Sequence, residues 1–394
     1  MDWSRLEYSE QTIASLKRNW QYSQACYPGH APWFLQADYV GQCAERAGFP
    51  ADGISELLRQ ASAIRDNEDD ARLVWHLHWH SHIAAQSLRD PQWPWPEELG
   101  RSPHADLTFL TVFPLFALVP SMDTWMQARA LPKELPDAAL RDVRNWTVHQ
   151  YRQTGRWGDV QTLWSHHLLR CDIFQLGRLQ FQFGSFTERT PLVLQNTATG
   201  EIVILSQENL PVAADGRYAC TDEPVCFTTA LAQTAREYRG NPVRDGLVSK
   251  EQLSLPCQEW EPVFRQGDPM LNVHIPEDGP LDCQACLDSL DYARRFYSTQ
   301  FPEFNFRGFQ TQTWLLGTSL RDCLPADSNI LHFQSLFHLF PAMQGNDWQL
   351  RERVFGDPDL PLEKVPQKTS LQRSVYAKLM AGARLRNGAG VIPR

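Results

Sequence analysis

Three places in the sequence carry side chains that handle protons or metals at spacings chemistry can use. His76, His78, His80 and His82 alternate with Leu77, Trp79 and Ser81. On a helix, His76 and His80 share one face and His78 and His82 another, the i,i+4 spacing that can hold zinc. No glutamate follows the first histidine and no third ligand is evident, so packed and surface histidines are the better reading. Cys283 and Cys286 form a CxxC at the start of a helix, where a thiolate would be stabilised. No second pair lies at zinc-ribbon spacing and no thioredoxin-like context precedes it, which favours a structural pair. The third place is His274, near the end of the apolar run MLNVHI at 270–275, with Glu277 three residues on. A neutral imidazole there can take a proton directly or through a water. The competing readings are a strand histidine bonded in a polar core and a solvated loop acid. The chain has no GxSxG, no Walker A loop and no GxGxxG.

These residues need elements to hold them. Residues 1–155 read mostly as helix, with candidates at 10–20, 38–47, 52–64, 68–88 and 137–153. Gly48 before Phe49-Pro50 suits a helix C-cap, and Gly155 ends the last of these helices. The run 109–119 reads as a buried helix. A Pro/Trp-rich loop covers 91–96. After that, 177–183 alternates as a strand, which would place Arg178 and Gln180 on one side of it. PLVLQ, NTATG and EIVIL at 191–205 predict a hairpin. Residues 208–258 read as an irregular insertion. MLNVHI is a strand, Asp282 can N-cap a helix over 283–298, 309–316 is a strand, and helices follow at 328–340 and 370–386 before a Gly-rich end.

Bulk properties narrow the class. The chain has 394 residues, 42% hydrophobic and 21% charged, which fits two globular domains. A net charge of −9 and a pI near 5.7 disfavour a nucleic-acid partner, because a broad acidic field repels phosphate backbones. Nine irregularly spaced cysteines fit reduced thiols in a cytoplasm. The opening MDWSRLEYSEQ lacks a basic segment followed by an apolar core and reads as no signal peptide. No apolar run approaches the roughly 20 residues that cross a bilayer.

Several strings occur together in a fixed order: GRLQF at 177–181, GDPMLNVHIPEDGPL at 267–281, Ser289, Leu290, Ala293 and Phe296 in the next helix, FPE at 301–303, WLL at 314–316, SNILHFQ at 328–334 and TSLQR at 369–373. With Trp146, Tyr151, Gly155, Trp164 and His167, they resemble a family of bacterial acyltransferase domain-containing proteins. That family pairs an N-acyltransferase-type N-terminal domain with a GNAT-like C-terminal domain. The resemblance implies an α+β chain: a helical domain over 1–157 and a mixed-sheet α/β domain over 158–394. It implies transfer of an acyl group from a thioester, usually acyl-CoA, to an amine of a small molecule or peptide, with no metal. Alternatives are a GNAT-shaped binding or assembly module without transfer activity, and a transferase whose donor is an acyl carrier protein or a charged tRNA.

The resemblance also orders the candidate residues. MLNVHI would be the fourth GNAT strand and 309–316 the fifth, with the thioester threaded between them. His274 becomes the base for the amine and Glu277 an alternative base or amine-binding carboxylate. Arg178 and Gln180 could bind a substrate carboxylate, or Arg178 could be a structural tie; Trp314 is a further substrate contact. Pro276, Gly279 and Leu281, in the loop after the fourth strand, with Ser328 and Asn329, would face the CoA arm, although Ser328 and Asn329 also suit helix capping. One departure matters. GNAT enzymes commonly place Q/R-x-x-G-x-G/A after the fourth strand, where backbone N–H groups cradle pyrophosphate. Here that loop is Pro276-Glu277-Asp278-Gly279-Pro280-Leu281-Asp282, with one glycine, two prolines and three carboxylates.

Overall fold

The computed structural model describes residues 1–86, 97–101, 104–159, 161–187, 190–343 and 347–394. The chain forms two compact units, Met1–Gln175 with Pro276–Asp278, and Leu176–Ile275 with Gly279–Arg394. Its architecture is a helical N-terminal region followed by a mixed-sheet region.

The first unit is built from helices that include Ala37–Ala47, Ala51–Asp66, Glu68–Gln86, Val119–Ala128, Leu135–Thr154 and Thr162–Leu169. Gly48 and Gly155 end two of them in the left-handed conformation, as a residue without a Cβ can do cheaply. The expected helix over 10–20 is two, Glu10–Lys17 and Trp20–Ala25, separated at Asn19 with φ +60°. The run 109–119 is buried as expected but does not form one helix. It holds the single turn Val112–Phe116 and then enters Val119–Ala128; Pro114 and Pro120 supply no N–H to a continuous ladder. Phe34, Phe109, Phe113 and Phe116 are fully buried at its centre. Residues 87–88 and the loop 91–96 lie outside the described residues.

The histidine run lies within Glu68–Gln86. His76 and His80 are buried. His76 Nδ1 lies 2.6 Å from Ser23 Oγ and His80 Nε2 lies 3.3 Å from the Arg18 carbonyl. The His76 and His80 rings meet edge-on, their centroids 4.6 Å apart. Among the described residues, no group of three or more His, Cys, Asp or Glu is placed to hold a metal. Nor is any described helix long and apolar enough to cross a membrane.

The largest sheet has six strands, named here β1 (Ile173–Leu176), β2 (Leu179–Ser185), β3 (Pro269–His274), β4 (Gly308–Thr313), β5 (His338–Pro341) and β6 (Gly388–Pro393). Their spatial order is β1-β2-β3-β4-β6-β5. β3 and β4 are parallel, and the helix Cys283–Gln300 connects them, as a crossover between parallel strands requires. Asp282 caps that helix by accepting from the Ala285 N–H at 2.8 Å. Its apolar stripe, Cys286, Leu290, Ala293, Phe296 and Tyr297, is buried. Tyr297 donates to the Phe181 carbonyl of β2 at 2.9 Å. Burial of Leu290 and of Phe296 contributes about 1.5–3 kcal/mol each.

Four expectations in this region are corrected. Residues 208–258 are not an irregular insertion. They supply short strands, among them Glu237–Gly240, Pro242–Arg244 and Leu253–Pro256, to sheets beside the hairpin Leu192–Asn196/Ile202–Leu205. That hairpin forms as expected, in the register Leu192↔Leu205. The expected strand 309–316 stops at Thr313, and Trp314–Leu316 is a 3₁₀ turn. The expected helix 328–340 is only Asn329–Gln334, followed by β5. The last helix is Ser370–Met380, and the Gly-rich end is not loose but is β6.

The last two corrections share one cause. β6 inserts between β4 and β5, pairing Gly308↔Pro393 through Thr313↔Gly388 on one side and His338↔Val391 through Pro341↔Gly388 on the other. A Cβ on Gly388 would sit 2.0 Å from the Leu316 carbonyl oxygen, and one on Gly390 2.8 Å from the Phe337 Cβ. The glycines are there so that neighbouring backbone can close over the strand. Gly388→Ala is therefore expected to cost more than about 2 kcal/mol, read as a lowered midpoint in a urea melt. A melt within about 0.5 kcal/mol of the parent would show that the strand can shift to make room.

Burial pushes His76 down to about 3 and His78 and His80 to about 4. The unfolded chain binds these protons near pH 6.5, so stability is full above that pH and falls as pH drops towards 4. The slope is at most about 1.4 kcal/mol per histidine per pH unit. Denaturant melts at pH 7.5 and 5.0 should show this loss, and His78→Leu should reduce the difference between the two; an unchanged difference would assign the acid sensitivity elsewhere.

Candidate active site

β3 and β4 share the ladder positions Leu271↔Phe309 and Asn272↔Gln310. Beyond them each strand follows its outer neighbour. β3 stays bonded to β2 from Pro269↔Ser185 to His274↔Gln180. β4 stays bonded to β6 as far as Thr313↔Gly388. Held from outside, the two strands part after Asn272 and Gln310, and a cavity of about 400 Å³ opens there. Its walls are Asn272, Val273 and His274 of β3, Gln310, Thr311 and Gln312 of β4, Ala389 and Gly390 of β6, residues 340–343, and Thr187 and Thr190.

His274 is the one ionisable side chain among these wall residues. It is half-buried, and its Nε2 lies 3.1 Å from Gln182 Oε1 on β2. An amide oxygen only accepts, so this contact, with Gln182 so oriented, puts the ring proton on Nε2 and makes Nδ1 the basic nitrogen. Asn272 and His274 share a face of β3 by the two-residue strand period. At the mouth of the opening, Gln310 Nε2 donates to Asn272 Oδ1 at 2.7 Å and to the Ser185 carbonyl at 3.1 Å.

The other sequence candidates do not gather at this cavity. Glu277 belongs to the first unit, where its Oε2 lies 3.2 Å from His149 Nδ1. It lines a separate polar pocket of about 230 Å³ with Asp142, Arg144, Trp146 and Arg152. Asp142 Oδ2 in that pocket accepts from the indoles of Trp146 and Trp164, at 3.1 and 3.0 Å. Arg178 precedes β2 rather than standing in it, because Gly177 turns the chain with φ +74°. Its Nε donates to the Pro280 carbonyl at 2.7 Å and its Nη2 to the Gly279 carbonyl at 2.8 Å. The Arg178 N–H meets Ser289 Oγ at 2.6 Å. Arg178 thus pins the loop after β3 through its carbonyls.

Gln180 is buried within the sheet. Trp314 donates its backbone N–H to Gln349 Oε1 at 2.9 Å and packs on the cluster around Leu320, Leu350 and Val375. Ser328 accepts from the Ile330 N–H at 3.3 Å as a helix N-cap, and Asn329 opens that helix. Pro276 is buried, while Gly279 is exposed and Leu281 half-exposed. Asp282 caps the N-terminus of the following helix.

A family model described as a GNAT-like C-terminal domain matches residues 173–392, more than half of the chain. The chain belongs to the GNAT-like acyltransferase family. A second model, the N-acyltransferase N-terminal domain, matches residues 39–171 of this acyltransferase. Three solved structures share the fold, each covering 99% of this chain and 97% of its own at a TM-score of 0.66. They are an acyltransferase in complex with decanoyl-CoA and teicoplanin at 22% identity, an acyltransferase mutant with octanoyl-CoA at 21%, and an acyltransferase with CoA and 10C-teicoplanin at 22%. No curated protein matches the sequence.

Sequence reasoning placed His274 at a strand end beside an opening. It missed Gln182, Asn272, Gln310 and the whole β6 wall. The signal for β6 was present: Ala389, Val391 and Pro393 alternate with Gly390 and Ile392 in a terminal run that holds no charge before Arg394. The Arg178 clamp predicts a local effect. Arg178→Met should expose the 276–282 loop to limited proteolysis at a global cost of about 1.5–3 kcal/mol, the range for a hydrogen bond to a charged group. Unchanged cleavage kinetics would show that the loop holds its place without the clamp.

Proposed function

We propose that this chain transfers a medium-length acyl group from acyl-CoA to an amine of a peptide-like small molecule. The observation that carries the reading is the opening between β3 and β4, with His274 as the ionisable side chain in its wall. In this reading the thioester carbonyl lies in the opening. The neutral amine attacks the carbonyl carbon and a C–N bond forms. His274 Nδ1 takes the proton that nitrogen sheds, the C–S bond breaks, and the same proton returns to the departing thiolate. The base is His274 rather than Glu277, because His274 stands in the cavity wall and Glu277 is paired with His149.

Acyl-CoA is preferred to a carrier protein or a charged tRNA because the solved structures of the same fold carry acyl-CoA or CoA, and the acceptor class follows from the teicoplanin complexes among them. Among the described residues, the cavity wall has one phenylalanine, Phe340, and no tryptophan; a site plugged by aromatic rings would have favoured a binding module. All nine cysteines are unpaired, which suits a reducing cytoplasm.

Purified protein incubated with a panel of acyl-CoAs and peptide amines should release thiol, fastest with octanoyl or decanoyl donors. His274→Ala should lower kcat by roughly 100-fold or more. Retained turnover would remove His274 from the mechanism. The absence of thiol release from every acyl-CoA, together with no thermal shift by CoA, would end the transferase reading.

A further inference from the structure

In the β2–β3 ladder Asn272 stands opposite Gln182 and His274 opposite Gln180. Gln180, Gln182 and Gly184 share the face of β2 that borders Asn272 and His274. His274 reaches past its direct partner along the diagonal, and its Nε2 lies 3.1 Å from Gln182 Oε1. Asn272 leans the same way, over Gly184. A Cβ on Gly184 would sit 2.7 Å from Asn272 Nδ2 and 2.8 Å from its Oδ1. Gly184 is not among the glycines with positive φ, so the backbone does not demand a glycine there. A glycine inside a strand weakens it and marks a close approach, and what approaches is the Asn272 amide. That amide is tethered, because its Oδ1 accepts from Gln310 Nε2 at 2.7 Å.

An upright Asn272 would crowd Gln182, the residue directly opposite. Leaning over Gly184, it leaves Gln182 free to meet His274. Among the described residues, the bond to His274 is the one hydrogen bond that the Gln182 side chain makes. Gln182 is also not among the described wall residues of the cavity, so it touches the base and not the reactants.

Resting on the transferase reading above, we infer that Gln182 is the positioning residue of His274, and that Gly184 makes this possible by giving Asn272 a place to lean. A neutral imidazole turns about its side-chain bonds and exchanges its proton between two nitrogens. One acceptor at Nε2 settles both. It holds the ring plane, and it keeps Nδ1 bare for the proton that the amine sheds. Gln182 itself gains and loses nothing in the transfer.

The experiment has two readouts. The first is nitrogen NMR of protein carrying isotope-labelled histidine, with the His274 signals assigned by their loss in His274→Ala. It is run well above the ordinary imidazole pKa of about 6.5, where protonated and bare ring nitrogens resonate far apart. The parent should show one tautomer, with the proton on Nε2. Gln182→Met, of similar length and without the acceptor, should show both nitrogens partly protonated. Gly184→Ala should do the same, and adding Asn272→Ala to it should return the parent pattern, because the colliding amide is gone. The second readout is turnover: Gln182→Met should lower kcat by about 10- to 100-fold and leave the KM for decanoyl-CoA unchanged.

A parent proton on Nδ1, an unchanged ring pattern in Gln182→Met, or a raised KM with kcat intact would overturn the inference and leave the transferase reading standing. A Gly184→Ala ring that matches the parent would overturn the part assigned to Gly184. If Gln182→Met does not fold, the parent tautomer and the two Gly184 variants decide. The NMR needs no turnover, so failure of the parent to transfer to any acceptor would sink the proposed function separately.

Discussion

The opening in the main sheet depends on unequal hydrogen bonding across its centre. β3 is bonded to β2 over six register positions and β4 to β6 over six, while β3 and β4 share two. Each central strand is held more firmly by its outer neighbour than by the other, and the right-handed twist of a sheet then carries the pair apart. The separation needs no strained residue and no inserted group. It leaves polar side chains facing a space that would otherwise be ladder, and backbone edges there must find partners other than each other.

The described wall of the cavity so formed is largely polar. Among the described residues, asparagine, glutamine and threonine side chains supply most of its polar wall, and His274 is the one titratable side chain. The helical unit contrasts with this. There burial pushes His76 and His166 both down to about 3, and pushes the buried Asp159 up to about 7 for the same reason. Desolvation acts on both signs of group there, which marks the interior of a fold rather than a site open to solvent and substrate.

The loop after β3 is held in place by three separate contacts. The chain turns at that point, as it must to enter the helix Cys283–Gln300. Its carbonyls are taken up by Arg178, its helix N-terminus by Asp282, and one of its carboxylates by Gln175 at 2.7 Å.

How far the sequence reached follows from which interactions are local. The hairpin at 191–205, the caps at Gly48, Gly155 and Asp282, and the helix from Cys283 rest on neighbours within a few residues, and the sequence determined them. It also determined that His274 ends a strand before a loop poor in glycine. The identity of the strand's partners was not local. β6 comes from the last residues of the chain and pairs with segments about 50 and 80 residues earlier, so Gly388 and Gly390 read as a loose end, and Phe337 and Phe340 as one stripe of a helix. Likewise Arg178 meets Gly279 across about 100 residues, and Gln310 meets Asn272 and Ser185 only because three strands lie side by side. The tertiary structure alone decided which side chains share the cavity, since register between strands distant in sequence is set by packing and pairing that no short window contains.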